Sequence, residues 1–252
     1  MYMGKKKSQP TPIASLDNRI EQKILDHFGI VSDTHMGSKY EALQELEGIY
    51  DYFNERGIKQ VYHAGDLTDG VGVYRGQEFE QHAISSHEQI EHVKKNYPKL
   101  KDGKTHVIAG NHDTKLMKRG GVNPVKSIAV SRRDIQYDGD FYVRYLDGEM
   151  GTDMELTHPS GAGYYSMSYG LQKYLRNRKP SMHPDILIQG HRHQSMYGNI
   201  QEVHALDAGC FMHASDYIIR KGFSDNIGGW LIEMERGDSV DKFKVEFIKG
   251  DK

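Results

Sequence analysis

The chain has 252 residues, 37% of them hydrophobic, a mean hydropathy of −0.70 and a formal net charge of −2. That length suits one α/β domain with a sizeable core and leaves no room for a second full domain. No apolar run approaches the ~20 residues needed to cross a bilayer, and the near-neutral charge argues against a duplex-binding footprint of uniform basic surface.

Residues 1–14 combine Lys5-Lys6-Lys7 with Pro10 and Pro12 and show no periodicity, which reads as a flexible basic leader ahead of a single domain over 15–252. The N-terminus lacks the layout of a signal peptide, and the lone Cys210 rules out an internal disulfide, so a soluble, cytoplasmic protein is expected. Asp17 to Asp26 is expected to form a short helix. The apolar pair Ile30-Val31 then runs into Ser32-Asp33-Thr34-His35. Glu41 to Arg56 places Leu43, Leu46, Tyr50 and Phe53 at the spacing of one helical face, and Gly57 ends it.

Gln60 to Ala64 follows as a buried strand, with Gly65-Asp66 at its carboxyl end, where ligand sites form in α/β sheets. From Asp69 to Tyr97 the chain is polar, and Gln77, Gln81, His82, Glu88 and His92 read as a solvated helix face rather than a second metal site. Val107-Ile108-Ala109 leads into Gly110-Asn111-His112-Asp113. Thr114 to Met154 is rich in turns and carries Arg132-Arg133, candidates for a clamp on a substrate phosphate. Leu156-Thr157-His158 is followed by Tyr164, Tyr165, Tyr169 and Tyr174, of which Tyr164 is a candidate to stack a base. Ile186-Leu187-Ile188-Gln189 ends in Gly190-His191-Arg192-His193. Alternation at Trp230, Ile232, Met234 and at Phe243, Val245, Phe247 predicts an antiparallel hairpin.

Each polar cluster follows an apolar run, so one sheet edge would gather all of them. In order they read Asp-x-His, Gly-Asp-x-x-Asp, Gly-Asn-His-Asp, a lone His and Gly-His-x-His. This pattern resembles the calcineurin-like metallophosphoesterases, and its spelling is similar to the prokaryotic and phage phosphodiesterase branch. Gly70 and Asp113 stand where the Ser/Thr protein phosphatases carry Arg and Glu, which disfavours that branch.

The resemblance implies a four-layer α/β/β/α sandwich of two mixed sheets flanked by helices. It implies two divalent metals, Mn foremost with Fe, Zn or Ni as alternatives, one on Asp33, His35, Asp66 and His193 and the other on Asp66, Asn111, His158 and His191. It further implies activation of water for in-line attack on phosphorus, with His112 as general acid and Asp69 as its partner. A nucleotide or short single-stranded nucleic acid is the expected substrate of such a phosphodiesterase. A phosphomonoesterase and a non-catalytic scaffold remain the alternatives. His63, His106, His183, His204 and His213 are expected to be satisfied structural residues.

Overall fold

Side chains alternate across the strands and sort into three apolar layers. In the computed structural model, which describes residues 18–160, 166–215, 219, 225–236 and 240–250, one sheet holds β2 (His27–Val31), β3 (Gln60–His63), β4 (Lys104–Ala109), β5 (Ile135–Asp140), β11 (Gly228–Arg236) and β12 (Val240–Lys249), in the order β12-β11-β2-β3-β4-β5. The other holds β1 (Arg19–Glu21), β6 (Tyr142–Asp147), β7 (Thr152–Thr157), β8 (Ile186–Gln189), β9 (Ser195–Ile200) and β10 (Val203–Ala208), ordered β1-β6-β7-β8-β10-β9.

Tyr62, Ile108, Ile186, Ile188 and Trp230 fill the space between the sheets. Val61, Val107 and Leu231 face α1 (Leu43–Glu55), α2 (Ser86–Asn96) and α4 (Pro124–Ser131). Leu187, Val203 and Ala205 face α5 (Tyr169–Arg176). This is the expected four-layer sandwich of two mixed sheets between helices.

Helix α1 buries Leu46, Ile49, Tyr50 and Phe53, and Gly57 takes the left-handed conformation (φ 68°) just past its end. The hairpin forms as its alternation implies, pairing Trp230 with Phe247, Ile232 with Val245 and Met234 with Phe243. The helix expected over Asp17–Asp26 does not form in its described part. Arg19–Glu21 instead pairs with β6 as a parallel edge strand, and the Asn18 amide donates to the Asp138 and Tyr142 carbonyls. The open edge of β6 satisfies backbone groups that a helix of one or two turns would satisfy poorly. Residues 1–14, read as a leader, lie outside the described residues.

Strands β2, β3 and β4 run parallel, as do β7, β8 and β10. The turns after β2, β3, β4, β7 and β8 therefore meet at carboxyl edges, and these turns carry the polar clusters. Among the described residues no helix is long and apolar enough to cross a membrane.

His63 is fully buried beneath this edge. Its Nδ1 accepts the Gly65 N–H (3.2 Å), so Nε2–H donates to Thr34 Oγ1 (3.2 Å), whose hydroxyl donates to the Leu67 carbonyl (2.9 Å). Burial pushes the imidazole down to about 4. A histidine with a depressed folded-state pKa contributes stability that is fully present above its ordinary value of about 6.5 and lost as pH falls toward 4. In metal-stripped protein, going from pH 7 to pH 5 is expected to cost the wild type about 2 kcal/mol more than His63→Gln. Urea unfolding at both pH values measures this, and equal losses would place the acid sensitivity elsewhere.

Candidate metal centre

Five of the seven expected metal ligands sit in the left-handed backbone region: Asp33 (φ 50°), His35 (42°), Asp66 (54°), His191 (82°) and His193 (54°). Such conformations cost a non-glycine residue on the order of 1–3 kcal/mol and persist where surrounding structure over-determines them. Here the Asp33 N–H donates to the Gly65 carbonyl (3.0 Å) and the His35 N–H to the Asp66 carbonyl (3.1 Å), lacing the first two turns together. Gly65 combines φ 98° with a close approach, since a Cβ there would lie 2.4 Å from His158 Nδ1. A Cβ on Gly110 would lie 2.2 Å from Asp66 Oδ1. Both turns need glycine to let the donors close up.

Two groups of donors contain the expected ligands, and a further one, His35, Asp69 and His112, adjoins them. Asp33, His35 and His193 converge, with His193 Nε2 3.4 Å from Asp33 Oδ1 and 3.0 Å from His35 Nε2. Asp66, His158 and His191 form the other, with His158 Nε2 3.1 Å from Asp66 Oδ2 and 3.0 Å from Asn111 Oδ1. Asp66 Oδ2 also lies 3.9 Å from His35 Nε2, so one carboxylate stands between the groups.

Hydrogen bonds behind the donors aim them. His158 Nδ1–H donates to the Ala64 carbonyl (2.7 Å), which leaves Nε2 to face the cluster. The Asp33 carboxylate accepts the Ser32 hydroxyl (2.5 Å) and the His191 N–H (2.9 Å). Mixed imidazole, carboxylate and amide donors at this density fit divalent cations of intermediate hardness.

His112 borders the cluster, its ring 4.4 Å from that of His35. Its Nδ1–H donates to the main-chain carbonyl of Asp69 (2.6 Å), whereas the Asp69 carboxylate is 3.8 Å from that nitrogen and closer, 3.3 Å, to His35 Nδ1. The expected Asp69 and His112 pair thus meets through backbone.

The carboxylate of Asp69 is instead held by Gln77 Nε2 (2.9 Å) and Gln81 Nε2 (2.5 Å), while Gln89 bridges both backbone groups of Gly70. All three glutamines are buried, which corrects the reading of Gln77 and Gln81 as a solvated face. Asp113, likewise unforeseen, accepts from the Gly110, Leu67 and Thr68 N–H groups and the Thr68 hydroxyl, tying the Gly-Asp turn to the start of α3 (Asn111–Gly120).

A model of the calcineurin-like phosphoesterase superfamily domain matches residues 27–220. The chain belongs to that superfamily. It is 24% identical to the DNA polymerase II small subunit of Thermoplasma acidophilum, over 74% of this chain and 45% of that protein. It is 25% identical to the protein of the same name from Methanocaldococcus jannaschii, over 82% of this chain and 41% of that protein. The chain spans less than half the length of these relatives. An archaeal phosphodiesterase superposes with a TM-score of 0.47 at 16% identity, over 88% of this chain and 99% of its own. Zinc-bound Vps29 of Entamoeba histolytica gives 0.46 at 14%, over 89% and 99%.

Within this phosphoesterase domain the charges are mutually adjusted. Burial opposes ionisation of Asp33 and Asp66, yet their histidine neighbours hold both carboxyls below the ordinary range. Burial likewise opposes protonation of His158, but the charge and hydrogen bond of Asp66 raise it to about 9. A dication held by this group would take the place of that proton.

The expected substrate contacts fare differently. Arg132 is buried, with Nη1 donating to the Lys94 and Tyr97 carbonyls (3.1 and 3.0 Å), Nη2 to that of Pro98 (3.3 Å), and both Nε and Nη2 to Asp134. Because Ile135 pairs with Thr105, this arginine lies at the opposite end of the strands from Asn111, roughly 20 Å away at ~3.3 Å per residue. The phosphate-clamp expectation is corrected for Arg132, and its exposed neighbour Arg133 shares that edge. Tyr164 lies outside the described residues. Arg132→Ala is expected to cost about 2–3 kcal/mol by orphaning carbonyls at the end of α2. Denaturant unfolding should show that loss with kcat/KM unchanged, and a selective rise in KM for large substrates would restore the clamp.

Proposed function

We propose that the chain is a dinuclear, metal-dependent phosphodiesterase acting on nucleotides or short single-stranded nucleic acid. The observation that carries this reading is the pair of donor groups joined by Asp66, with His112 beside them. Asp33, His35, Asp66 and His193 would hold one cation and Asp66, Asn111, His158 and His191 the other, with Mn, Fe, Zn or Ni suiting the donors. When bound, such cations supply Lewis acidity toward phosphate oxygens and ready a water for attack near neutral pH.

The protein's own part is orientation and proton delivery. His112 Nδ1–H donates to the Asp69 carbonyl, which leaves Nε2 as the nitrogen that would protonate a leaving alkoxide. Asp69, braced by Gln77 and Gln81, holds that imidazole through its carbonyl and steadies His35 through its carboxylate.

The relatives named as polymerase subunits favour a second reading, a domain that serves as a protein-binding subunit without turnover. Assays with Mn on bis-p-nitrophenyl phosphate and p-nitrophenyl phosphate separate the cases. Preference for the diester supports the proposal, preference for the monoester replaces it with phosphomonoesterase activity, and no turnover of either supports the subunit reading.

A further inference from the structure

The polar loop and helix beside the main cluster contain a second convergence of metal-binding side chains. Glu41 precedes α1, His82 lies in the turn before α2, and His92 lies within α2. Glu41 Oε1 is 3.0 Å from His82 Nε2 and 2.8 Å from His92 Nε2, and the two rings stand 4.7 Å apart at 75°. The three ligand atoms all lie within 4.8 Å of one another. Glu41 and His92 are largely buried, while His82 is 39% exposed at its side chain and gives access. We propose that Glu41, His82 and His92 form an accessory site for a borderline divalent cation, zinc by preference, separate from the main centre.

The geometry of the cluster favours this over a plain Glu–His contact. Glu41 Oε1 meets both imidazole nitrogens, and His92 Nε2 also reaches Oε2 (3.0 Å), so one anion serves two rings. The same collapse of Nε2 atoms onto a shared carboxylate occurs at Asp66 and Asp33. Two imidazoles and one carboxylate make a three-ligand zinc set that leaves a fourth position for water. Glu41 and His82 also line a cleft of about 400 Å³ with Ser38, Lys39, Glu45 and His213, to which His92 does not contribute. Lys39 does not compete for the carboxylate, because its ammonium donates to the Phe79 carbonyl (2.9 Å).

The proton inventory is specific. Asn96 Nδ2 lies 2.8 Å from His92 Nδ1, so without metal that nitrogen accepts and Nε2–H points to Glu41. Zinc held by Glu41, His82 and His92 would need both Nε2 atoms free of protons. The ring proton of His92 would then reside on Nδ1, which requires the Asn96 amide to turn and give up its bond to the His92 carbonyl (3.0 Å).

The site also has a structural consequence. Glu41 Oε2 accepts the Gly37 N–H (2.8 Å), and the Gly37 carbonyl accepts from the His82 and Ala83 N–H groups. A cation here fastens the turn that carries Asp33 and His35 to the segment whose Gln81 holds Asp69.

The test is zinc binding by the full chain with the main centre first saturated with Mn. Wild type is expected to take up one more zinc equivalent than His82→Ala/His92→Ala, measured by isothermal titration and elemental analysis, and to show a zinc-dependent rise in Tm that the variant lacks. Equal stoichiometry, or an equal Tm response, overturns the proposal. Should the double variant fold poorly, His82→Ala alone removes a half-exposed ligand, and anomalous scattering at the zinc edge must then place the ion between His82 and His92 in wild-type crystals. A zinc peak confined to other positions also overturns it. The comparison is a difference between two proteins at one site, so it stands whether or not the main centre hydrolyses phosphodiesters.

Discussion

Asp66→Asn is expected to abolish metal binding at the proposed dinuclear centre and to reduce diester turnover to background, a larger loss than any other single change in the cluster. Asparagine tolerates the left-handed φ of 54° and keeps an oxygen for the His112 N–H, now 2.9 Å from Asp66 Oδ1, so the turn should survive. What disappears is the one negative charge shared between the donor groups. The other carboxylate ligand, Asp33, belongs to one group only, and Asn111 and the histidines contribute no charge when neutral. Two dications facing each other across an uncharged amide lack the anion that screens their repulsion. Elemental analysis and turnover on bis-p-nitrophenyl phosphate measure both effects, with circular dichroism as the check on folding. A variant that retains two metals and turnover would show that Asp66 is not shared between them.

The residues that proved easy to read are those whose chemistry follows directly from strand order. Val61-Tyr62-His63 is apolar enough to be a buried strand, and a polar turn after a parallel strand emerges at the carboxyl edge, which accounts for Asp66 with Asn111 on one sheet and His158 with His191 on the other. The expectation of one shared edge is corrected, since two sheets supply the cluster. The three-residue β1 was not readable, because Arg19-Ile20-Glu21 is too short to show a period and pairs only because β6 offers an open edge. Gln77, Gln81 and Gln89 look like solvated residues in sequence. Their burial depends on backbone and carboxylate partners brought by the Gly-Asp turn, which no local pattern encodes. Arg132 shows the same limit. An arginine satisfied by the end of a helix and one poised for phosphate have the same spelling, and only the register of β4 with β5 separates them.

His112→Asn is expected to leave the metals bound and to lower kcat by on the order of 10²-fold on diesters with a poor leaving group. The side chain lies outside the two groups joined by Asp66, although it forms a third with His35 and Asp69, and its N–H bond to Asp66 is main-chain, so asparagine preserves that contact. The imidazole itself is held by the Asp69 carbonyl at 2.6 Å and is 15% exposed at the mouth of the cluster, where it can meet a substrate oxygen. Removing it withdraws the proton a poor alkoxide needs on departure, whereas p-nitrophenolate leaves with little help, so the deficit should shrink on p-nitrophenyl esters. The geometry also separates Asp69 from this role. Asp69→Asn keeps the carbonyl that holds His112 but alters the carboxylate 3.3 Å from His35 Nδ1. Its defect should therefore appear as weaker metal binding, relieved by excess Mn and indifferent to the leaving group. Should His112→Asn show the same loss on good and poor leaving groups, the imidazole acts by binding phosphate rather than by giving up a proton. Should Asp69→Asn instead reproduce the leaving-group dependence of His112→Asn, the carboxylate and not the carbonyl governs that proton.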